Sequence, residues 1–197
     1  LVFGHSGDES VGLAEQSPLP MNIPVNDSAA WLPDRHRNGH MPGTLPDSLR
    51  EAIRLFILVC AARSARGQGA EHNTMLIHAT RFINVQARVA EQITEEMSTL
   101  RNIVTLGAKG NLEELRNEFR QIWQRRVVDP HDVFKNALGD RCSPLPQFDR
   151  VWIDVKRAVE RIGVMRVNGE SSDALSYSRA EGGLWVIAIG GDKLSRG

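Results

Sequence analysis

The sequence predicts an α/β fold, a parallel β-sheet covered by helices with a mostly helical insertion between its first two strands. Three observations predict it. The short apolar run at 74–80 (T-M-L-I-H-A-T) passes directly into a stretch of helical period, the strand-then-helix unit of open α/β sheets. Two further short apolar runs, 164–167 and 184–189, lie near the end of the chain. Between the first run and the second every pattern is helical, and a connection of that length joins parallel strands.

In chain order, residues 1–46 come first. They are rich in Gly, Pro, Asp, Asn and Ser, and Pro18, Pro20, Pro24, Pro33, Pro42 and Pro46 rule out a long helix. An irregular N-terminal segment draped over the rest is expected. Residues 47–66 form a helix, with Pro46 suited to its start and Gly67 to its stop. Leu49, Ile53, Phe56 and Cys60 mark one face, and Leu55, Leu58, Val59 and Ala62 add apolar surface elsewhere, so most of this helix is expected to be buried.

Residues 74–80 read as a buried parallel strand. Phe82, Val85, Val89, Ile93 and Met97 then recur every three or four positions as a helix. Asn111 is a candidate N-cap for the next helix, with Glu113 and Glu114 in its first turn and Leu112, Leu115, Phe119 and Ile122 on one face. Asp129-Pro130 is expected to break that helix. Phe148, Val151, Val155, Val159 and Ile162 set a last helix over 146–162, which Gly163 ends. The strand at 164–167, a polar Gly/Ser-rich loop at 168–183 and the strand at 184–189 follow, and Gly190-Gly191 terminates the last strand. The helical insertion spans about 98–162.

The composition is that of an ordinary globular chain: 41% hydrophobic and 24% charged residues over 197 positions, enough to bury a sizeable core. Its 24 basic and 24 acidic residues cancel, so the chain has no bulk attraction to nucleic acid and any such contact needs a local patch. The longest apolar run, 55–62, is too short to cross a bilayer, and no signal peptide is visible. Cys60 sits in an apolar run and Cys142 in a Pro-containing loop, so neither a disulfide framework nor a zinc site is indicated. A reducing, cytoplasmic setting fits this usage. A start at Leu1 rather than Met, and a stop at Arg196-Gly197 just after a strand, give the expectation of a truncated fragment cut from a longer protein.

The last strand and its exit carry the most chemical information. In open α/β sheets, ligands bind beyond the carboxyl ends of strands. Paired glycines let the backbone approach a phosphate, Ser195 offers a hydrogen bond, and Lys193 or Arg196 can neutralise phosphate charge. By itself, a glycine-rich turn after a strand is also simply a turn.

The stretch V-I-A-I-G-G-D-K-L-S-R-G (186–197) resembles the signature of the Z-one domain family, a strand followed by G-G-x-x-L-S-R-G. It is also similar to the motif of superfamily-two helicases in which a strand leads into S-R-G. Three more blocks agree in order: L-P-D-S-L-R-E-A-I-R-L-F-I-L-V-C-A-A-R (45–63), H-N-T-M-L-I-H-A-T-R-F (72–82) and V-N-G-E-S-S-D-A-L-S-Y (167–177). The resemblance spans roughly residues 25–197. It implies a helicase-like ATPase module of bacterial restriction and phage-defence proteins, also labelled as a putative endonuclease domain. Residues 47–197 would be its RecA-like second lobe, of the P-loop NTPase fold.

On that reading the intact parent is an ATP-dependent, DNA-stimulated motor using ATP and Mg, with DNA and a nuclease or other restriction subunit as partners. Gly190, Gly191, Lys193, Ser195, Arg196 and Gly197 are the implied nucleotide-binding residues. His78, Thr80 and Arg81, with Asn168, Ser171 and Ser172, are the implied nucleic-acid contacts. No catalytic residue is expected in this stretch. The phosphate-binding loop G-x-x-x-x-G-K-[ST] does not occur in the sequence, so the chain alone should not hydrolyse ATP.

Two rival readings remain. The helical insertion could dock an endonuclease subunit, or the chain could be an endonuclease itself. Asp149 with Asp154-Val155-Lys156 imitates a D…D-x-K nuclease site, but the helical period there points residues 154 and 156 about 200° apart. His36 and His40 are four apart with Asn38-Gly39 between them, which argues against a helical metal pair. Arg116, Arg120, Arg157 and Arg161 recur at i,i+4 spacing among Glu113, Glu114, Glu118 and Glu160, as expected of an ion-paired surface.

Overall fold

In the computed structural model the described residues are 23, 25–107, 109–139, 143–167 and 182–191. They form a mixed helix-and-sheet structure with the element order α1 (Asp47–Ala65), β1 (Asn73–His78), α2 (Ile83–Leu106), α3 (Lys109–Trp123), α4 (Asp129–Leu138), α5 (Phe148–Arg161), β2 (Gly163–Val167) and β3 (Trp185–Gly190). The three strands make one parallel sheet in the order β1-β3-β2.

Placing the last strand in the middle explains its sequence. Every residue of Trp185–Gly190 is buried, as an all-apolar central parallel strand requires. The edge strand β1 was expected to be buried and is only half so. Thr74, Leu76 and His78 are exposed while Asn73 and Ile77 are buried, because strand side chains alternate and one face meets the helices. Met75, Ile77, Val164, Trp185, Ile187 and Ile189 pack on that face into one core with the apolar sides of α1, α2, α3 and α5.

Most helices begin where the chain chemistry directs. Pro46 caps α1 with an extended backbone, and its carbonyl accepts hydrogen bonds from the Leu49 and Arg50 N–H groups. Gly67, at φ +81°, stops it. Ile53, Ile57, Leu58, Cys60 and Ala61 are buried and most of the rest of α1 is half-buried, but Val59 is exposed. Helix α2 outruns the expected Met97 because Leu100, Ile103 and Val104 continue its apolar period. Helix α3 starts at Lys109, which puts Asn111 inside the first turn rather than at the cap.

The expected break at Asp129-Pro130 is absent. Helix α3 passes through a π-helical segment, Gln124–Val128, straight into α4. Pro130 lies just past this segment, where the Asp129 N–H bonds to the Gln124 carbonyl five residues back. The wider π turn just before it relieves the ring's clash with the carbonyl four residues back.

Charged side chains tie the helices together. Arg50 and Arg54 of α1 both reach the buried Glu96 of α2, at 2.9 Å each, and Arg54 also meets Glu118 of α3 at 2.7 Å. Arg116 and Arg120 of α3 share the Asp149 carboxylate of α5 at 3.1 and 3.0 Å. Their hydrogen bonds hold that carboxyl below its ordinary pKa. The expected ion-paired surface holds for these two arginines. Arg161 behaves differently, donating to the backbone carbonyls of Gly69, Gly182 and Gly183 and stacking 4.3 Å over the Trp185 ring.

Cys60 is fully buried, and burial pushes its thiol up to about 12. A raised thiol pKa contributes nothing below the unfolded value of about 8.5. As pH rises above it the unfolded chain ionises while the folded one does not, so stability falls. In a Cys142→Ser background, Cys60 is therefore expected to resist a thiol reagent at pH 8 until urea unfolds the chain. Rapid labelling of the native protein would contradict its place in the core.

Candidate functional site at the carboxyl rim of the sheet

The register sets the three strand ends level. His78 of β1 pairs with Gly190 of β3, and Gly190 pairs in turn with Val167 of β2. The three strands therefore end at one rim, the side on which open parallel sheets bind ligands. Among the sequence-predicted residues, His78, Thr80, Arg81, Gly190 and Gly191 stand at this rim. Asn168, Ser171, Ser172, Lys193, Ser195, Arg196 and Gly197 lie outside the described residues.

Two of the exits touch. A Cβ on Gly191 would lie 2.9 Å from the Thr80 carbonyl oxygen, 3.2 Å from Arg81 Cα and 2.8 Å from Gln86 Nε2. Only glycine lets the turn after β3 lie so close to the turn after β1. Gln86, in the first turn of α2, joins the two by donating from Nε2 to the Thr80 carbonyl at 2.8 Å. It is 3% exposed, and its Oε1 has no hydrogen-bond partner, so an open acceptor sits at the junction.

Thr80 is buried and makes two contacts that the sequence did not foretell. Its Oγ1 accepts a hydrogen bond from the Phe82 N–H at 3.2 Å and lies 2.7 Å from His36 Nε2. The other ring nitrogen of His36, Nδ1, is 2.7 Å from the Pro33 carbonyl, which can only accept. Nδ1 therefore carries the hydrogen, and in the neutral ring Nε2 accepts from the Thr80 hydroxyl. Arg81 is exposed, its guanidinium 5.0 Å above the Phe82 ring, and the His36 ring meets the same phenyl edge-on at 5.6 Å.

His36 arrives here because residues 25–46 are fastened across α2. Trp31 is buried, and its indole N–H donates to Gln92 Oε1 at 2.7 Å, while Gln92 Nε2 donates to the Gly43 carbonyl at 2.7 Å. Arg88 donates to the carbonyls of Gly39 and His40 at 3.0 and 2.6 Å. His40 Nε2 lies 3.0 Å from the Trp31 carbonyl, so this ring too is spent on the loop. Both imidazoles serve backbone and hydroxyl groups, and no group of three metal-ligating side chains occurs among the described residues.

The nuclease-like triplet behaves as its helical period implies. Asp149, Asp154 and Lys156 all lie on α5. Asp149 is taken up by two arginines, and Asp154 lies 3.7 Å from Arg150 one turn away. Sequence reasoning missed Gln86, because a polar residue on an apolar helix face leaves no periodic mark. It also missed Arg35 and Arg37, which flank His36 in a loop. Arg35-His36-Arg37 between Pro33 and Gly39 was the one available signal.

Comparison with known proteins adds one finding. A family model described as the Z1 domain matches residues 48–197. No curated protein and no solved structure matches the chain.

Proposed function

The chain belongs to the Z1 domain family, and from that premise we propose that it supplies the nucleic-acid-gripping lobe of an ATP-driven, helicase-like motor. The lobe is a RecA-like second lobe of the P-loop NTPase fold, and the motor acts on DNA in the cytoplasm in restriction or phage defence. The observation that carries this reading is the contact between Gly191 and Thr80-Arg81. It brings the turn suited to a nucleotide against the turn suited to a polynucleotide backbone. A motor that couples ATP turnover to strand movement needs its nucleotide and strand sites to share packed elements of this kind.

The division of labour follows from the residues. Arg81 meets backbone phosphate as an exposed, planar, permanent cation. Gly190 and Gly191 admit a phosphate group close to the main chain. ATP, when bound, supplies the free energy of phosphoryl transfer. No group of three metal-ligating side chains occurs among the described residues, and no step of hydrolysis is assigned to this chain. The sequence holds no G-x-x-x-x-G-K-[ST] loop, so the chain alone should turn over no ATP. No helix among the described residues is long and apolar enough to cross a membrane.

The test is equilibrium binding of a fluorescent single-stranded oligonucleotide, followed by anisotropy in 50 mM salt. The chain should bind it, and Arg81→Ala should weaken binding about fivefold, as loss of one phosphate contact does. A chain that ignores DNA at that salt would sink the reading.

A further inference from the structure

Beside the rim lies a cavity of about 610 Å³ lined by Asp34, Arg35, His36, Arg37, Thr80, Arg81 and Phe82. Three arginines face one aspartate there, in a chain whose overall charge is zero. Arg35, Arg37 and Arg81 are exposed, and none forms an ion pair with another described residue. The contrast with α1, α3 and the π segment is sharp, where Arg50, Arg54, Arg116, Arg120, Arg125 and Arg126 all hold carboxylates. An arginine left without a carboxylate beside a cavity has its fork of donors available to another anion.

The loop that presents two of these arginines is held in place. Pro33 and Thr80 clamp His36 from its two ring nitrogens, Trp31 and Leu32 are buried just before it, and Arg88 binds the chain just after it. The backbone of 35–37 is thus fixed before any ligand arrives, which lowers the cost of ordering it. Helix α2 starts at the same place, with no side-chain cap on its first turn. Its dipole adds partial positive charge to that wall.

We propose that Arg35 and Arg37, positioned by His36, form with Arg81 a phosphate-binding pocket that grips the backbone of a single-stranded nucleic acid entering the rim. The proposal rests on the reading above for its ligand and extends it to a segment that precedes the matched family region. Successive phosphates along a strand meet Arg81 from the sheet side and Arg35 and Arg37 from the loop side. His36 is a positioning residue, since both of its ring nitrogens are used within the chain.

The test compares the wild-type chain, Arg81→Ala, Arg35→Ala/Arg37→Ala and Arg35→Lys/Arg37→Lys. Labelled oligothymidylate, ATP and inorganic phosphate are the probes, and the urea midpoint of each variant checks its fold. Three backbone contacts give a slope of log K against log salt of about −2 for a single strand. The double alanine variant should reduce it to about −0.7 and weaken binding in 50 mM salt at least tenfold, while the lysine pair keeps most of the slope. ATP and phosphate at equal phosphate concentration should compete poorly.

If Arg81→Ala weakens oligonucleotide binding while the double alanine variant, folded, keeps wild-type affinity and slope, the pocket is overturned and the rim reading stands. If the chain binds ATP or phosphate but no oligonucleotide, and the double alanine variant loses that binding, the arginines hold a free anion, and the nucleic-acid grip and the rim reading both fall. If the wild-type chain binds none of the three probes, both fall.

Discussion

Glu96→Ala should cost the fold about 3 kcal/mol, the lower end of what removing one partner from a buried ion pair does. Glu96 is 7% exposed on the inner side of α2, and Arg54, whose side chain is 11% exposed, shares it with Arg50. Deleting the carboxylate leaves the Arg54 guanidinium deep between α1 and α2 with Glu118 as its remaining carboxylate and the Arg50 carbonyl as a neutral acceptor. Arg50 is 38% exposed and can turn to water, so the loss falls mainly on Arg54. Urea unfolding followed by circular dichroism reads this as a lower midpoint at an unchanged slope. A change under 1 kcal/mol would mean that α1 and α2 do not depend on this carboxylate. Because α2 also starts at the rim, the same variant should weaken oligonucleotide binding under conditions where it begins to unfold.

Gly183→Ala is expected to be nearly as costly, at least about 2 kcal/mol. Gly183 has φ +86°, and a Cβ there would lie 2.3 Å from the Ala70 carbonyl oxygen and 2.6 Å from that of Glu71. Both obstacles are backbone, so neither can swing aside. The position anchors the amino end of the sheet. The Leu184 carbonyl accepts from Asn73 N–H, Leu184 N–H donates to His72 Nδ1, and the Trp185 indole donates to the Glu71 carbonyl. These bonds start the β1–β3 register, and that register is what brings His78 level with Gly190 six residues later. The variant should therefore lose both stability and rim geometry. An unchanged melting temperature would show that the turn tolerates a side chain and that the register is set elsewhere.

The strands and helices were legible because burial leaves periodic marks. The all-apolar run at 184–189 became the central strand, and the repeat from Val85 to Met97 became the buried face of α2. What failed were inferences from local sequence alone. Asp129-Pro130 reads as a stop in the sequence, but a preceding π turn makes room for it, and nothing in Gln124–Val128 announces such a turn. Strand β1 was expected to be buried because T-M-L-I-H-A-T is apolar, yet its edge position and one bare face follow from sheet order, which local pattern does not encode.

The site was half legible for a similar reason. Thr80, Arg81, Gly190 and Gly191 could be placed together from strand ends and a family signature. His36, Arg35 and Arg37 could not, because they reach the rim through a loop some forty residues earlier in sequence, fixed by Trp31, Arg88 and Gln92. Contacts made by an irregular segment depend on which helix it crosses, and no periodicity records that choice.

Amide chemical-shift mapping with a short oligonucleotide tests the shared rim most directly. The account predicts that the perturbed amides cluster where the strands leave the sheet, at Thr80, Arg81, Gly190, Gly191 and the 35–37 loop, while the amino-end amides of Asn73, Gly163 and Trp185 stay fixed. Perturbations gathered instead at those amino ends, or along α3 and α4, would contradict it.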